Sequence, residues 1–301
     1  MPAVQTVGLR KVFGGKVAVD SLSLEVGRGE VFGFLGPNGA GKTTAVKMLM
    51  GLVRPTAGKA HILGNPVGDI STRRRVGFLP EHFRFHDWLQ AAEFLDWHGQ
   101  LYGMSSAARK KRIPEVLALV GLADVPRQRL HTFSKGMLQR IGIAQALLNH
   151  PDVVFLDEPT SALDPLGRRD VRDVIRALRA DGVTVFLNSH LLSEVEMVCD
   201  KVAIIDHGRV VRQGALTQLL ESALEVEMRI GGLSEQVLAA VIAVCASASV
   251  EGERVLAAVR EEDDIPRRAA LGVATGGRLY ELAPRRRSLE DLFVRVIEEG
   301  Q

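Results

Sequence analysis

Apolar residues along this chain recur with two different periods, and the switches between them divide it into regions. From Val4 to about Leu79, short apolar stretches are punctuated by glycine. Val4–Leu9, Leu22–Val26, Val31–Leu35 and Val76–Leu79 read as strands. From about Asp87 to His150 the spacing is helical, with Leu89, Ala92, Phe94 and Leu95, then Val116, Leu117, Leu119 and Val120. Strands return at Val153–Leu156, Val183–Leu187 and Val202–Ile205, and an amphipathic helix follows each of the first two. Such runs alternating with helices predict an α/β fold whose parallel sheet is covered on both faces. After about Leu220 the pattern changes. Leu224–Ile230 alternates as a half-exposed strand, Ser234–Val244 reads as helix and Arg254–Val259 as strand. Ser288 reads as the N-cap of a helix carrying Leu292, Phe293 and Val296. Residues 1–221 and 222–301 are therefore expected to form two domains, the second a small α+β unit.

Composition adds limits. The chain has 301 residues, 46% hydrophobic and 25% charged, enough for a substantial core. A net charge of +2 makes no electrostatic case for nucleic acid. Cys199 and Cys245 are too few and too isolated for a disulfide framework, as expected of a reducing cytosol. The N-terminal residues lack the basic and apolar regions of a signal peptide. No apolar run approaches the ~20 residues that a membrane span requires. If the protein works at a membrane, another chain crosses it.

The candidate chemistry begins at Gly36-Pro37-Asn38-Gly39-Ala40-Gly41-Lys42-Thr43-Thr44, which fits the phosphate-binding loop G-x-x-x-x-G-K-[ST]. A strand precedes it and a helix follows. The glycines let successive N–H groups converge on one anion, and the helix N-terminus adds partial positive charge. Lys42 would reach the β- and γ-phosphates, and the Thr43 hydroxyl would ligate magnesium. The strand Val153–Leu156 runs into Asp157-Glu158-Pro159. Asp157 suits magnesium, and Glu158 suits polarisation of an attacking water. Ser134, two residues before Gly136, opens a helix expected to run to about His150. Its N–H groups offer a second anion site, available to another molecule's nucleotide because one nucleotide already fills the phosphate loop.

In this order the motifs closely resemble the ATP-binding-cassette family, over roughly residues 4–220. The resemblance implies a phosphate-loop NTPase core with a mostly parallel sheet, an antiparallel β subdomain and an inserted helical subdomain at about 87–150. It implies that Phe13 stacks on adenine and that residues 36–44 hold the phosphates. Ser134 and Gly136 match the family signature, and Asp157 and Glu158 the second nucleotide-binding motif. Ser161-Ala162-Leu163-Asp164 matches a loop that crosses a dimer interface, and His190 a γ-phosphate contact. Two departures stand out. Glu81 occupies the usual place of a glutamine at the magnesium site, and Lys135 interrupts the signature as Phe133-Ser134-Lys135-Gly136-Met137. Both variants, and the ending Leu289-Glu290-Asp291-Leu292-Phe293, resemble the branch whose ATPase pairs with separate exporter-like membrane subunits.

The resemblance thus implies an ATPase using ATP and Mg2+, acting as a homodimer or as half of a nucleotide-binding dimer. It would power a separate transmembrane permease, for export, from the cytoplasmic face of the membrane. The alternative is a soluble cassette ATPase acting on a macromolecular partner. Residues 222–301 hold no candidate ATP ligand, so they are expected to regulate or stabilise the dimer. His82 and His86 have metal-like spacing only if their segment is helical, which is not expected. That aromatic-rich segment, through Trp88, reads as a surface for a partner. Arg73–Arg75 and Arg285–Arg287 read as solvated charges.

Overall fold

The computed structural model describes residues 1–82, 85–161, 163–221, 224–232, 247–259, 270, 273–274, 276, 278–286 and 288–299. Phe83, Arg84, Ala162, Arg287 and the expected helix Ser234–Val244 lie outside the described residues. The chain forms two compact units, Met1–Ala215 with Val296–Gln301, and Leu216–Arg295.

The first unit is built on two sheets. In the antiparallel one, β1 (Val4–Phe13) pairs with β2 (Lys16–Val26) and with β4 (Ala57–Ile62), which pairs with β5 (Asn65–Pro66). The other has six strands. Five are parallel: β6 (Val76–Leu79), β7 (Val153–Asp157), β8 (Thr184–Asn188), β3 (Val31–Leu35) and β9 (Lys201–Asp206). Antiparallel β10 (Arg209–Ala215) closes the β9 edge. Every residue of β3, β7 and β8 is buried, which is why they carry no polar alternation.

Helix α1 (Lys42–Leu49) contributes Ala45, Val46, Met48 and Leu49 to a core that both sheets share. Phe186 stands at its centre, 5.1–5.4 Å from Phe32, Phe34 and Phe155 between ring centroids. Each such ring stabilises the fold by about 1.5–3 kcal/mol through burial. This core fixes the far ends of β3, β7 and β8, where the candidate residues lie.

The short helix α2 (Ile70–Arg73) precedes β6. Helices α3 (Ala91–Leu101), α4 (Ser106–Leu119) and α5 (Lys135–Leu147) lie between β6 and β7 in the chain. Ser134 caps α5, its hydroxyl accepting from the Met137 N–H at 3.2 Å. The helix ends at Leu147, short of the expected His150, which has left-handed backbone at φ 52° and so cannot continue it. Strands β1 and β2 are longer than their apolar stretches, because their outer halves pair without being buried. Helix α6 (Pro165–Ala180) and helix α7 (Leu192–Val198) follow β7 and β8.

In the second unit, helix α8 (Leu216–Glu221) leads into a four-stranded antiparallel sheet. Its strands, β11 (Leu224–Gly231), β12 (Ser247–Glu251), β13 (Arg254–Val259) and β14 (Arg278–Arg286), lie in the order β12-β13-β11-β14. Val226, Met228, Ile230, Val255 and Ala257 are buried. Ser288 caps a last helix, Leu289–Glu298: its hydroxyl accepts from the Asp291 N–H at 3.1 Å, and its N–H donates to Asp291 at 3.0 Å. Among the described residues no helix is long and apolar enough to cross a membrane.

The helical region packs closely against the sheet. At Gly77 in β6, an added Cβ would lie 2.0 Å from the Ala146 carbonyl of α5. Gly77→Ala must therefore push α5 away from β6, at about 2 kcal/mol or more. The expected outcome is a thermal midpoint lower by ~4–8 °C in scanning calorimetry; an unchanged midpoint would show that α5 yields freely.

Candidate functional site

The phosphate loop takes its shape from crowding. Gly36 leaves β3 where a Cβ would lie 2.3 Å from the Ile205 carbonyl, and Gly41 has φ 102° with the Ala18 carbonyl 2.3 Å from its Cβ position. Neither position admits a side chain. The turn between β9 and β10 braces the loop, with the Gly208 N–H donating to the Ala40 carbonyl at 2.9 Å. Ala40 is buried beneath it.

Lys42 is the first residue of α1 and is buried. Its ammonium donates to the Gly36 carbonyl at 2.6 Å and the Pro37 carbonyl at 3.1 Å. Burial pushes its pKa down, while the carboxylates of Glu158, Asp157 and Glu81 hold it up.

Asp157 ends β7 and is 2% exposed. Asn188, at the matching end of β8, donates its amide N–H to Asp157. Burial is the main cause raising the Asp157 pKa; the Asn188 hydrogen bond opposes it and the Glu81 charge adds to it. Glu158 has left-handed backbone at φ 53°, which turns its side chain out of the strand direction. Its N–H donates to the Asn188 carbonyl at 2.8 Å, and its carbonyl accepts from Gln139 Nε2 and Ser161 Oγ. Its carboxylate meets His190 Nδ1 at 2.7 Å. Burial raises its pKa first of all, and the His190 hydrogen bond and charge oppose that.

These residues open onto one cavity of about 550 Å³. Phe13, Asn38, Gly39, Gly41, Lys42, Thr43, Thr44, Glu81, Glu158 and His190 line it. Phe13 is 49% exposed at its edge, with the Lys11 ammonium 4.7 Å from its ring centroid. Gly36, Pro37, Ala40 and Asp157 shape the site from behind this surface. Asn188 and Lys16 also line the cavity and were missed in the sequence reading. A polar residue ending the apolar run Val183–Leu187, two positions before His190, was the available signal for Asn188.

Ser134, Gly136 and Asp164 are elsewhere. They line a second cavity of about 530 Å³ with Lys135, Arg140 and Leu163. Asp164 caps α6 there, accepting from the Gly167 N–H at 2.7 Å. No described residue lines both cavities. His82 and His86 are not on a helix, and among the described residues no cluster of three His, Cys, Asp or Glu side chains could hold a metal by itself. His86 instead packs between Trp88 and Trp97, at 4.9 and 4.8 Å. Arg75 is less free than a solvated charge, since it pairs with Asp152 at 2.5 Å.

The ABC transporter family model matches residues 19–161. An ABC transporter ATP-binding protein of Synechocystis is 42% identical over 280 residues, 92% of this chain and 78% of the relative. The Nod factor export ATP-binding protein I of Rhizobium is 35% identical over 298 residues, covering 98% and 96%. Among solved structures, a dimeric ATP-binding cassette in a post-hydrolysis state, bound to ADP and Pi, is 27% identical. It superposes with a TM-score of 0.65 over 71% of this chain and 98% of that one. With its phosphate loop, Glu158 and His190 gathered at one cavity and Asp157 next to Glu158 in the chain, this chain belongs to the ABC transporter family and is an ATP-binding, ATP-hydrolysing subunit of that kind.

Proposed function

We propose that two such subunits close around two ATP molecules and drive a separate transmembrane permease from the cytoplasmic face of the membrane. The observation that carries this reading is the division of the candidate residues between two cavities. The phosphate-loop cavity of one subunit would face the Ser134 cavity of its partner, with Asp164 near the junction. Export is the direction in the name of the 35%-identical Rhizobium relative, and we extend it to this chain. The membrane subunit sets the substrate.

Within each site Phe13 stacks on adenine, and the loop from Gly36 to Thr44 holds the phosphates. Lys42 exchanges its two carbonyl partners for phosphate oxygens. The Thr43 hydroxyl and the Asp157 and Glu81 carboxylates form a hard oxygen donor set that suits Mg2+. The Asp157 side chain accepts a backbone hydrogen bond from Glu81, so the two acids are neighbours. Magnesium, when bound, supplies charge neutralisation at the β- and γ-phosphates. Glu158 takes the proton of the attacking water, and His190, already hydrogen-bonded to Glu158, steadies that carboxylate and reaches the γ-phosphate. Loss of the γ-phosphate removes the bridge between subunits, and the dimer opens.

Glu158→Gln keeps shape and removes the base. It is expected to bind ATP as the parent does, to lose turnover by about 100-fold or more, and to accumulate as a closed dimer on gel filtration with magnesium-ATP. Lys42→Ala is expected to lose ATP binding itself. Parental turnover by Glu158→Gln overturns the assignment of the base.

Mixing a Lys42→Ala chain with a Ser134→Arg chain leaves one intact composite site and one doubly broken site. Partial recovery of ATP occupancy and turnover in the mixed dimer is expected. Occupancy no greater than in either parent variant, with dimerisation confirmed, counts against shared sites.

The raised Glu158 pKa has a stability consequence. A carboxyl whose folded pKa is raised penalises folding when ionised, at pH above its folded value. The penalty shrinks as pH falls and is gone below the ordinary glutamate value of 4.5. Nucleotide- and magnesium-free Glu158→Gln should therefore melt higher than the parent at pH 7–8 and equally at pH 4. Melting curves at both values test this, and a lower midpoint at pH 7–8 refutes it.

A further inference from the structure

Asn188 is the residue of this cavity whose hydrogen bonding is left half complete. It is 2% exposed, at the C-terminal end of β8, and lines the phosphate-loop cavity. A carboxylate only accepts, so the amide atom facing Asp157 is the NH2 group, and one of its two N–H bonds is used there. Its partner atom Oδ1 is buried and has no donor among the described residues. A buried amide oxygen without a donor costs about 1–3 kcal/mol. Holding Asp157 uses only the nitrogen and leaves the oxygen unexplained.

The neighbourhood of that oxygen narrows what can supply the donor. The Asn188 main-chain carbonyl accepts the Glu158 N–H at 2.8 Å, so the two residues are locked to each other. Both residues line the same cavity, with His190 beside Glu158. Lys42, a donor at the same cavity, is engaged with the Gly36 and Pro37 carbonyls. A nucleotide triphosphate brings acceptor oxygens at its phosphates and no donor there. A water molecule is what brings donors.

Building on the proposed ATPase mechanism, we propose that Asn188 Oδ1 accepts a hydrogen bond from the attacking water and is a second water-positioning group beside Glu158. A water aimed at phosphorus must point a lone pair at it, which requires both O–H bonds to be directed elsewhere. One O–H donates to Glu158 and the other to Asn188. As the water oxygen bonds to the γ-phosphorus, its first proton passes to Glu158. The bond between phosphorus and the leaving ADP oxygen breaks, and its electron pair stays on ADP. The second proton stays on oxygen, held by Asn188. Through its NH2 group the same side chain keeps Asp157 in place, so one residue links the water to the carboxylate proposed for magnesium.

The test compares Asn188→Leu, which keeps volume and removes both polar atoms, with Asn188→Ser, which restores a hydroxyl acceptor. Glu158→Gln is run alongside. Asn188→Leu is expected to bind ATP within about threefold of the parent and to hydrolyse it ~30–100-fold more slowly in single turnovers. It should also accumulate as an ATP-bound dimer on gel filtration, as Glu158→Gln does. Asn188→Ser should recover at least part of the lost rate. A residue that only shapes the site would give the opposite pattern, with ATP affinity lost, no trapped dimer and no rescue by serine. Parental single-turnover rates in Asn188→Leu would overturn the proposal. If Asn188→Leu does not fold, the serine variant decides alone: tight ATP binding with slowed hydrolysis and a longer-lived dimer supports the role, and parental hydrolysis overturns it. A Glu158→Gln protein that traps dimer while neither Asn188 variant does refutes this inference alone. Failure of Glu158→Gln to trap refutes the underlying ATPase reading.

Discussion

Three acids act on one buried lysine, Lys42, at the end of the parallel sheet, and the nucleotide half of the molecule is organised around that imbalance. Lys42, Asp157 and Glu158 are buried, with Glu81 beside them. Burial pushes the lysine down and both buried acids up, so each charge is held at a cost that the others offset only in part. Lys42 settles on two carbonyls of its own loop. A ligand bearing phosphates and a hard cation supplies what this arrangement lacks: anions for the lysine and positive charge for the acids. Preorganised charges of this kind are suited to a ligand that carries both phosphates and a cation.

Such a cluster persists because the backbone around it is over-determined. Glu158 occupies a left-handed conformation that costs a non-glycine residue about 1–2 kcal/mol. Its N–H is tied to the end of β8 and its carbonyl to Gln139 and Ser161, so relaxing the turn would break three hydrogen bonds. The phosphate loop is confined in the same way from behind, by the Ile205 and Ala18 carbonyls and by the Gly208 turn. Loop, carboxylate turn and β8 end are therefore joined by hydrogen bonds and close packing above the Phe186 core.

Much of this was legible in the chain, for physical reasons that also explain the gaps. Buried parallel strands leave continuous apolar runs, so β3, β7, β8 and β9 were placed within a residue or two. Ser134 and Ser288 read as caps and are caps. Strands β4 and β5 went unread because Ala57–Ile62 is mostly exposed and Asn65–Pro66 is two residues long. Strand β10 is likewise mostly exposed, so it shows no apolar signal. The inverted turn at Glu158 has no local signature, since it is imposed by partners at positions 139, 161 and 188. Asn188 was passed over for a related reason. Its meaning lies in a parallel register that sets it against Asp157, and register cannot be read from either strand alone. Glu81 and Lys135, by contrast, stood out only because a familiar pattern was broken there.

The separation of the two cavities gives the geometry its direction. A site meant to work within one chain would be expected to gather its phosphate donors around one opening, yet the α5 N-terminus opens onto a surface that shares no described residue with the phosphate loop. The fold keeps them apart for a structural reason: α1 is held within the core of the two sheets, whereas α5 belongs to the helical layer packed on β6 and β7. Close packing of Gly77 against the Ala146 carbonyl leaves little room for sliding within a subunit. Bringing the two openings together is then easier between chains than within one. A nucleotide seated in the phosphate loop would present its γ-phosphate outward, and a second chain offering its Ser134 surface is the partner suited to meet it. In the function proposed above, the chain would be half of a machine, with the bound triphosphate as the removable bridge between halves.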